Sequence, residues 1–453
     1  MIDSHCHLEM GQFDADRDAC ILRAMDSGIE AMITIGTDVE SSMAAIGIAR
    51  EYGFIYATVG IHPHTASTFT EGETYDQLKA LCADKRVVAV GETGLDYHYD
   101  HSPRNVQRDV FVRHIELAQE IDLPLVIHSR EAIQDTLELI TGCSVKNAVL
   151  HCFSGDMRMA EVLISRGLYI SFSGVVTFKK AQELRDIAQM VPDDLLLIET
   201  DAPYLAPQPY RGKRNEPSYL NYTAGVIAQV RGISPQDVSR ITSNNARRLF
   251  GVGEVASSGT ITYKIRDSLY INLTNRCTNE CIFCIRYKND FVKGHNMRLP
   301  SEPGVDEIIA AIGDPVAYKE VVFCGYGEPL IRLDVVKGVA RYVKSRGGTV
   351  RVNTNGQGNL INDQDVLPQL AGVVDHISIS LNAQDAQTYE RLCKPEFKGA
   401  YEGLLGFARE ARHYIPVVTL TVVEMAGVDI KACQAIADDL GVNFRVRHLD
   451  VVG

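Results

Sequence analysis

The chain has 453 residues, 45% of them hydrophobic and 23% charged, and a formal net charge of −13 at pH 7. It is too long for one comfortable core and too apolar for a disordered chain, so about two globular domains are expected. The acidic balance excludes a protein that wraps nucleic acid mainly by charge, but not a local phosphate site whose positive charge comes from bound metal.

The first half alternates short apolar runs with longer helical patterns. Candidate strands begin near Ile2, Ala31, Ile55, Val87, Leu125, Ala148, Leu168 and Leu195. Eight such units match the size of a (β/α)8 TIM barrel over residues 1–252, and the strand count favours it over a three-layer doubly wound sheet. His5 and His7 flank Cys6 at the end of the first strand, where i, i+2 spacing puts both imidazoles on one face. Glu92, His128 and His151 each follow an apolar strand, and Asp201 lies just past the run Leu195 to Ile198. All six face the end of the barrel at which active sites form. Four histidines and two carboxylates exceed the needs of one ion and suit two ions roughly 3.5–4 Å apart. Zn suits the imidazoles, while Mg or Mn suits the carboxylates and a phosphate substrate.

Other residues of the first half carry two readings each. Arg130 is placed to contact a phosphate or to pair with Glu131 or another nearby acid. Asp96 is placed to hold a ligand histidine through its second nitrogen or to cap Gly94–Tyr97. The basic run Arg211-Gly212-Lys213-Arg214-Asn215 faces a phosphate backbone or is a solvated loop. Cys6 and Cys152 point away from the ligand face and are expected to pack in the core.

A small, glycine-rich stretch over 253–261 reads as a linker. Before position 258 there are 35 acidic and 23 basic residues, and from there on 23 and 22, so the charge lies almost wholly in the first domain. The second domain, 262–453, offers strands at 269–274, 320–324, 349–354, 375–381, 416–422 and 443–448, with helices near 303–312, 332–346, 400–413 and 428–440. Six βα units suggest an open, partial (β/α)6 barrel. In the fourth strand Ile377, Ile379 and Leu381 alternate with Ser378, Ser380 and Asn382, giving one packed face and one polar face. Cys277, Cys281 and Cys284 form Cys-x3-Cys-x2-Cys. Three thiolates fit three irons of a [4Fe–4S] cluster and leave the fourth iron open, whereas a closed zinc site needs a fourth ligand such as Cys324. Cys393 and Cys433 lie in separate helical contexts and make no cluster pattern. No apolar run reads as a membrane span, and the N-terminus carries no signal segment, so a cytoplasmic chain with no membrane partner is expected.

The motifs Asp3-Ser4-His5-Cys6-His7, Gly60-Ile61-His62-Pro63-His64, Gly91-Glu92-Thr93-Gly94-Leu95-Asp96, His128-Ser129-Arg130, His151-Cys152-Phe153-Ser154-Gly155 and Glu199-Thr200-Asp201-Ala202-Pro203-Tyr204 resemble the TatD family of metal-dependent hydrolases. The resemblance covers about residues 1–250. It implies a (β/α)8 barrel and metal-dependent hydrolysis, often of DNA from a 3′ end. Carried over, it implies that His5, His7 and Asp201 bind one metal, that His128 and His151 bind the other, and that Glu92 bridges. Asp201 would also orient or deprotonate the water. His62 would contact substrate phosphate or support a ligand.

The segment from Arg276 to Ile285, down to Phe283 before the last cysteine, resembles the cluster loop of the radical S-adenosylmethionine (SAM) superfamily. This second resemblance covers about residues 262–448. It implies a [4Fe–4S] cluster, SAM chelating the open iron, an electron donor for the cluster, and a 5′-deoxyadenosyl radical. Gly325-Tyr326-Gly327-Glu328-Pro329 resembles the superfamily's Gly-Gly-Glu-Pro segment, with Tyr326 a departure. Phe283 is then expected among the SAM-binding residues, with Gly325, Gly327 and Glu328 at the methionine end of SAM and Asn353, Asn355, Ser378 and Ser380 at its ribose or carboxylate.

The expectation is a bifunctional chain, a TatD-linked radical SAM protein: a divalent-metal hydrolase of phosphodiester bonds, 3′-to-5′ exodeoxyribonuclease-like, joined to a radical enzyme of unknown substrate. Its partner would be a nucleic-acid 3′ end, or instead a phosphorylated or acylated small molecule if the first domain hydrolyses a small nucleotide, amide or aminoacyl ester. A third alternative is a non-catalytic, metal-stabilised partner-binding barrel with a redox module. The oligomeric state is left open.

Overall fold

A computed structural model describes residues 1–253, 259–287 and 289–448. Contacts divide the chain into two compact units, Met1–Val255 and Ala256–Gly453. Most of the stretch read as a linker, 254–258, lies outside the described residues.

The first unit holds eight strands: β1 (Ile2–Cys6), β2 (Ala31–Thr34), β3 (Ile55–Val59), β4 (Val87–Asp96), β5 (Leu125–Arg130), β6 (Ala148–Leu150), β7 (Tyr169–Phe172) and β8 (Leu196–Ile198). They are parallel neighbours in chain order. Past β8 the chain meets β1 again through a Cys6–Ala202 bridge, with His7 N donating to Ala202 O at 2.7 Å and Asp201 N to His5 O at 2.9 Å. The predicted barrel is therefore present, each strand starting within a residue of its expected place.

Both faces of these strands are buried, which explains why they read as continuous apolar runs rather than alternations. The outward residues pack against the helices in the larger core. Ile2, Ile33, Val126, Val149 and Leu197 form an inner layer with Ala246, Leu249 and Phe250 of the last helix. That helix, Pro235–Phe250, is fixed by sequence at both ends: Ser234 and Asp237 form a capping box, Pro235 opens the first turn, and Gly251 closes it at φ 64°. The apolar layer fills one part of the barrel and leaves the C-terminal ends of the strands to carry polar groups.

The second unit adds β9 (Thr262–Ile265), β10 (Ser268–Ile271), β11 (Phe291–Val292), β12 (His295–Asn296), β13 (Val321–Phe323), β14 (Val350–Thr354), β15 (His376–Ser380), β16 (Val417–Glu424) and β17 (Asn443–His448). The main sheet runs β17-β16-β15-β14-β13-β10-β9. The six predicted strands are its parallel members. Antiparallel β9 is an addition to the predicted six, and so is the small β11–β12 hairpin. Neither is long enough to show alternation. Val352, Ile377, Ile379, Val418, Leu420 and Val422 face the helices, so Arg351, Asn353, Ser378, Ser380, Thr419 and Thr421 line the opposite, concave face. Among the described residues no helix is long and apolar enough to cross a membrane.

Candidate functional site

At the C-terminal end of the first barrel, imidazoles and carboxylates converge. His5 Nε2 lies 3.3 Å from His7 Nε2 and 3.6 Å from Asp201 Oδ1, and His7 Nε2 lies 3.4 Å from the same oxygen. On the other side of Glu92, His151 Nε2 is 2.8 Å and His128 Nδ1 2.9 Å from Oε1, while His5 Nε2 is 3.5 Å from Oε2. The rings of His5 and His151 stack at 3.9 Å. All six predicted ligands are thus brought together. Their ligand atoms fall into overlapping groups, each within 4.8 Å: His5, His7 and Asp201; His5, Glu92 and His151; His62, Glu92 and His128.

The outward nitrogens are held as well. His7 Nδ1 lies 3.3 Å from Glu9 Oε1, His128 Nε2 lies 3.1 Å from Asp96 Oδ2, and His151 Nδ1 lies 3.3 Å from Glu199 Oε1. A carboxylate near these three outer nitrogens favours a proton there and leaves the other lone pair inward, whereas the buried Nδ1 of His5 has no hydrogen-bond partner among the described residues. Asp96 also accepts from His98 N and Tyr99 N, both at 3.0 Å, beyond the Gly94–Tyr97 stretch it was expected to cap. Glu9 and Glu199 were not singled out from sequence. Glu9 repeats the i, i+2 spacing of His5 and His7, and Glu199 stands two residues before Asp201, so the strand period was the available signal.

Burial alone would raise the carboxyl of Glu92, but the facing His151 and His62 and hydrogen bonds from His128 and His151 hold it well below the usual range. Asp201 is also buried, yet its hydrogen bond with His7 and the nearby His5 keep it low. Both groups stand as carboxylates.

His62 differs from the four histidines above. Its Nδ1 accepts from His64 N at 3.1 Å, so the neutral ring carries its proton on Nε2, which points toward Glu92 Oε1 at 3.5 Å. Burial holds its pKa well below the usual value. A neutral ring with Nε2–H directed inward is a hydrogen-bond donor to the site, although its distance alone would group it with ligands.

The loop that carries His62 is fastened from behind by His114, on helix Arg104–Ile121. His114 Nε2 accepts from Ile61 N at 3.0 Å and its Nδ1 donates to Val110 O at 2.8 Å. Burial lowers its pKa to about 4. The unfolded chain binds this proton near pH 6.5 and the folded chain only near 4, so stability is lost as pH falls through that window. The expected loss is on the order of 3 kcal/mol. Urea unfolding of His114→Leu between pH 7 and 4 is expected to show a shallower acid slope. Stability at pH 7 should fall by about 1–3 kcal/mol through the stranded Ile61 N–H.

Arg130 stacks over Tyr99 at 4.8 Å, while Glu131 is taken by His98 at 2.6 Å, so Arg130 makes no pair with Glu131. In the basic run, Arg214 pairs with Asp16 at 2.6 Å and Arg211 lies over Phe178 at 4.0 Å. Nearby, Tyr210 stacks on Tyr219 at 4.0 Å and contacts Tyr222, and exposed Tyr204 stands edge-on to His7. Cys6 is buried as expected. Cys152 is less enclosed and lies 3.2 Å from Ser173 Oγ.

In the second unit, Cys277, Cys281 and Cys284 lie on the loop after β10, each partly buried. The loop is tied to the end of helix Ala386–Cys393 by Glu280 N to Cys393 O at 3.0 Å and Ile282 N to Leu392 O at 2.9 Å. Sequence spacing gave Cys393 no place near the cluster loop, yet a hydrogen bond with it, together with burial, pushes the Cys281 thiol far up. Burial raises Cys277 to about 12 and also raises Cys284. Phe283 packs on the second core.

Gly325 and Gly327 are required by close approach. A Cβ on Gly325 would lie 2.2 Å from Asn272 Oδ1, and one on Gly327 2.2 Å from Arg276 O. Tyr326, the departure from the expected motif, is buried with Tyr263 and Met297 and donates to Asn289 O. Glu328 accepts from Asn355 N at 2.7 Å, Thr354 Oγ1 at 2.8 Å and Leu330 N at 3.0 Å, which locks the glycine loop to the end of β14. Asn355 is engaged too: its amide donates to Thr278 Oγ1 at 2.9 Å and its oxygen accepts from Gln357 N at 3.0 Å. It braces the cluster loop, which its place at a strand end did not reveal. Asn353 accepts from Arg351 at 3.2 Å, and Ser378 and Ser380 line the concave face.

The TatD related DNase family matches residues 2–251. The chain belongs to that family. The TatD-like part is 41% identical to YabD of Bacillus subtilis, an uncharacterized metal-dependent hydrolase, over 56% of this chain and 99% of the relative. It is 40% identical to the 3′-5′ ssDNA/RNA exonuclease TatD of Cronobacter sakazakii, over 55% of this chain and 97% of the relative. The crystal structure of YJJV, a TatD homolog from Escherichia coli, superposes with a TM-score of 0.54 at 29% identity, covering 56% of this chain and 98% of that one. The Radical SAM superfamily matches residues 271–440. The chain is thus a TatD-like metal-dependent hydrolase, nuclease-type, fused to a domain capable of SAM-dependent radical chemistry.

The TatD site fits metal by its donors: the Nε2 atoms of His5 and His7 lie 3.3 Å apart, which is unfavourable unless a proton or cation lies between them, and the carboxylates of Asp201 and Glu92 stand within 3.8 Å of both. The cluster loop fits iron by its thiols, which burial keeps protonated at neutral pH unless a metal displaces the proton. Arg286 donates to Asn275 O at 3.2 Å and Asn279 O at 2.9 Å and so brings positive charge to the loop that carries Cys277.

Proposed function

We propose that the first barrel is a two-metal 3′-to-5′ exonuclease for single-stranded DNA and that the second reductively cleaves SAM to begin a radical reaction. The hydrolase reading rests on the arrangement around Glu92, with His5, His7 and Asp201 to one side and His128 and His151 to the other. Those residues would hold two divalent ions, Zn, Mg or Mn. Bound there, the ions supply Lewis-acid stabilisation of negative charge on phosphate and lower the pKa of the attacking water. Asp201 takes the water's proton on a carboxylate oxygen, and His62 donates its Nε2–H to a phosphate oxygen.

Single-stranded substrate is favoured by what surrounds the mouth. Arg130 over Tyr99, Arg211 over Phe178 and the Tyr210–Tyr219 stack combine aromatic faces with cations, the means by which unpaired bases and backbone are held without sequence preference. The exonuclease activity of the Cronobacter relative agrees with this reading. In the second barrel Cys277, Cys281 and Cys284 would hold a [4Fe–4S] cluster, while Gly325 and Gly327, packed closely on Asn272 and Arg276, would set the loop backbone that receives the methionine end of SAM.

Asp201→Asn tests the hydrolytic half. The amide still packs between His5 and His7 but accepts no proton. With metal content near normal, turnover of a single-stranded oligonucleotide is expected to fall about 10²–10⁴-fold. Unchanged turnover would assign proton removal elsewhere.

A further inference from the structure

The last strand of the second barrel carries two arginines on its concave side. Phe444 and Val446 face the helices, so Arg445 and Arg447 face the other way. In register, Arg445 stands beside Thr421 and Arg447 beside Val423, and Thr421 in turn stands beside Ser380. The arginines therefore extend the polar face along the C-terminal end of the sheet.

Arg447 lacks what a buried cation normally has. Its Nε is sealed from solvent and has no hydrogen-bond partner among the described residues. Among the described residues, the charged or ionisable groups that act on it are the thiols of Cys324 and Cys281 and the guanidinium of Arg445, with no carboxylate. Arg351, on the same concave face, makes the contrast: two bonds to Glu320, at 2.9 and 3.0 Å, neutralise it. A desolvated guanidinium without an anion is costly, and a planar fork of donors suits a carboxylate or phosphate.

We propose that Arg447, assisted by Arg445, is an anion site that receives a carboxylate or phosphate group of the molecule reacting in the second barrel. The site rests on the reading of this barrel as the radical centre. Its position on the concave face, in line with Thr421 and Ser380, puts a bound anion on the same side of the sheet as the polar groups expected at the cofactor. Two molecules bring such a group there, the radical substrate and the carboxylate of SAM itself.

Hydrogen exchange read by mass spectrometry on the full, cluster-loaded chain separates these cases and localises the effect away from the hydrolase metals, which also bind phosphate. With SAM already bound, added inorganic phosphate is expected to slow exchange in peptides spanning β16 and β17. The half-effect concentration should rise about tenfold or more in Arg447→Met and be largely restored in Arg447→Lys. Cluster absorbance in each variant reports that the barrel is intact. If SAM alone gives the protection and Arg447→Met weakens it, the arginine site stands and its occupant is the cofactor's carboxylate. Exchange in β16 and β17 that ignores both anions, or protection equal in Arg447→Met, overturns the proposal. 5′-Deoxyadenosine is measured in the same samples: its absence with the phosphate effect present would remove the radical reading and leave the anion site.

Discussion

Glu92→Gln is expected to empty the hydrolase centre. Glu92 belongs to two of the three ligand groups and lies within 3.8 Å of the inward nitrogens of His5, His7, His62, His128 and His151. The substitution keeps shape and removes charge. An amide nitrogen then faces imidazoles or a cation where a carboxylate oxygen stood. Losing a partner behind a ligand costs about 10–100-fold in metal affinity, and losing the central ligand should exceed that. Metal per chain, measured by elemental analysis after dialysis, should fall from two ions to one or none, and hydrolysis should fall to background. Two retained ions with wild-type turnover would mean that Glu92 does not join the two halves of the site.

Cys281→Ser is expected to abolish the radical half and spare the hydrolytic half. The cluster loop keeps its backbone bonds to Cys393 and Leu392 whatever side chain stands at 281. The fold should therefore survive, which circular dichroism and an unchanged nuclease rate would show. Iron per chain should drop from about four to a trace, since three thiolates are the minimum that leaves one iron open for SAM. 5′-Deoxyadenosine formed under reducing conditions should become undetectable. Persistent product at normal iron content would place the cluster on another set of thiols, and Cys393 beside Cys281 would be the first to examine.

The barrel was legible because its strands are buried on both faces and several of them, β1, β4, β5, β6 and β8, carry or lead into a histidine or carboxylate. His5, Glu92, His128, His151 and Asp201 could be placed at one end from that pattern alone. What sequence could not show was the pairing behind them. Glu9 and Glu199 look like ordinary surface acids until the fold buries them against His7 and His151. The tautomer of His62 depends on a backbone N–H two residues away, which no motif records. In the second unit the alternation at Ile377–Leu381 correctly separated packed from polar faces. Asn355 was expected at the cofactor, yet its groups are spent on Thr278 and Gln357, because a strand-end amide reads alike whether it faces a ligand or a neighbouring loop. Arg447 carried no signal, since its isolation appears only once burial is known.

The central claim, that this acidic chain is a working nuclease as well as a radical protein, is met most directly by incubating the metal-loaded full chain with 5′-labelled single-stranded DNA, using His151→Ala as control. His151 lies 2.8 Å from Glu92 and stacks on His5, so its loss opens the centre without touching the mouth. A ladder shortening from the 3′ end is expected in the wild type, and intact DNA in the variant. Intact DNA from wild-type protein carrying two metals, or the same ladder from His151→Ala, would contradict that claim.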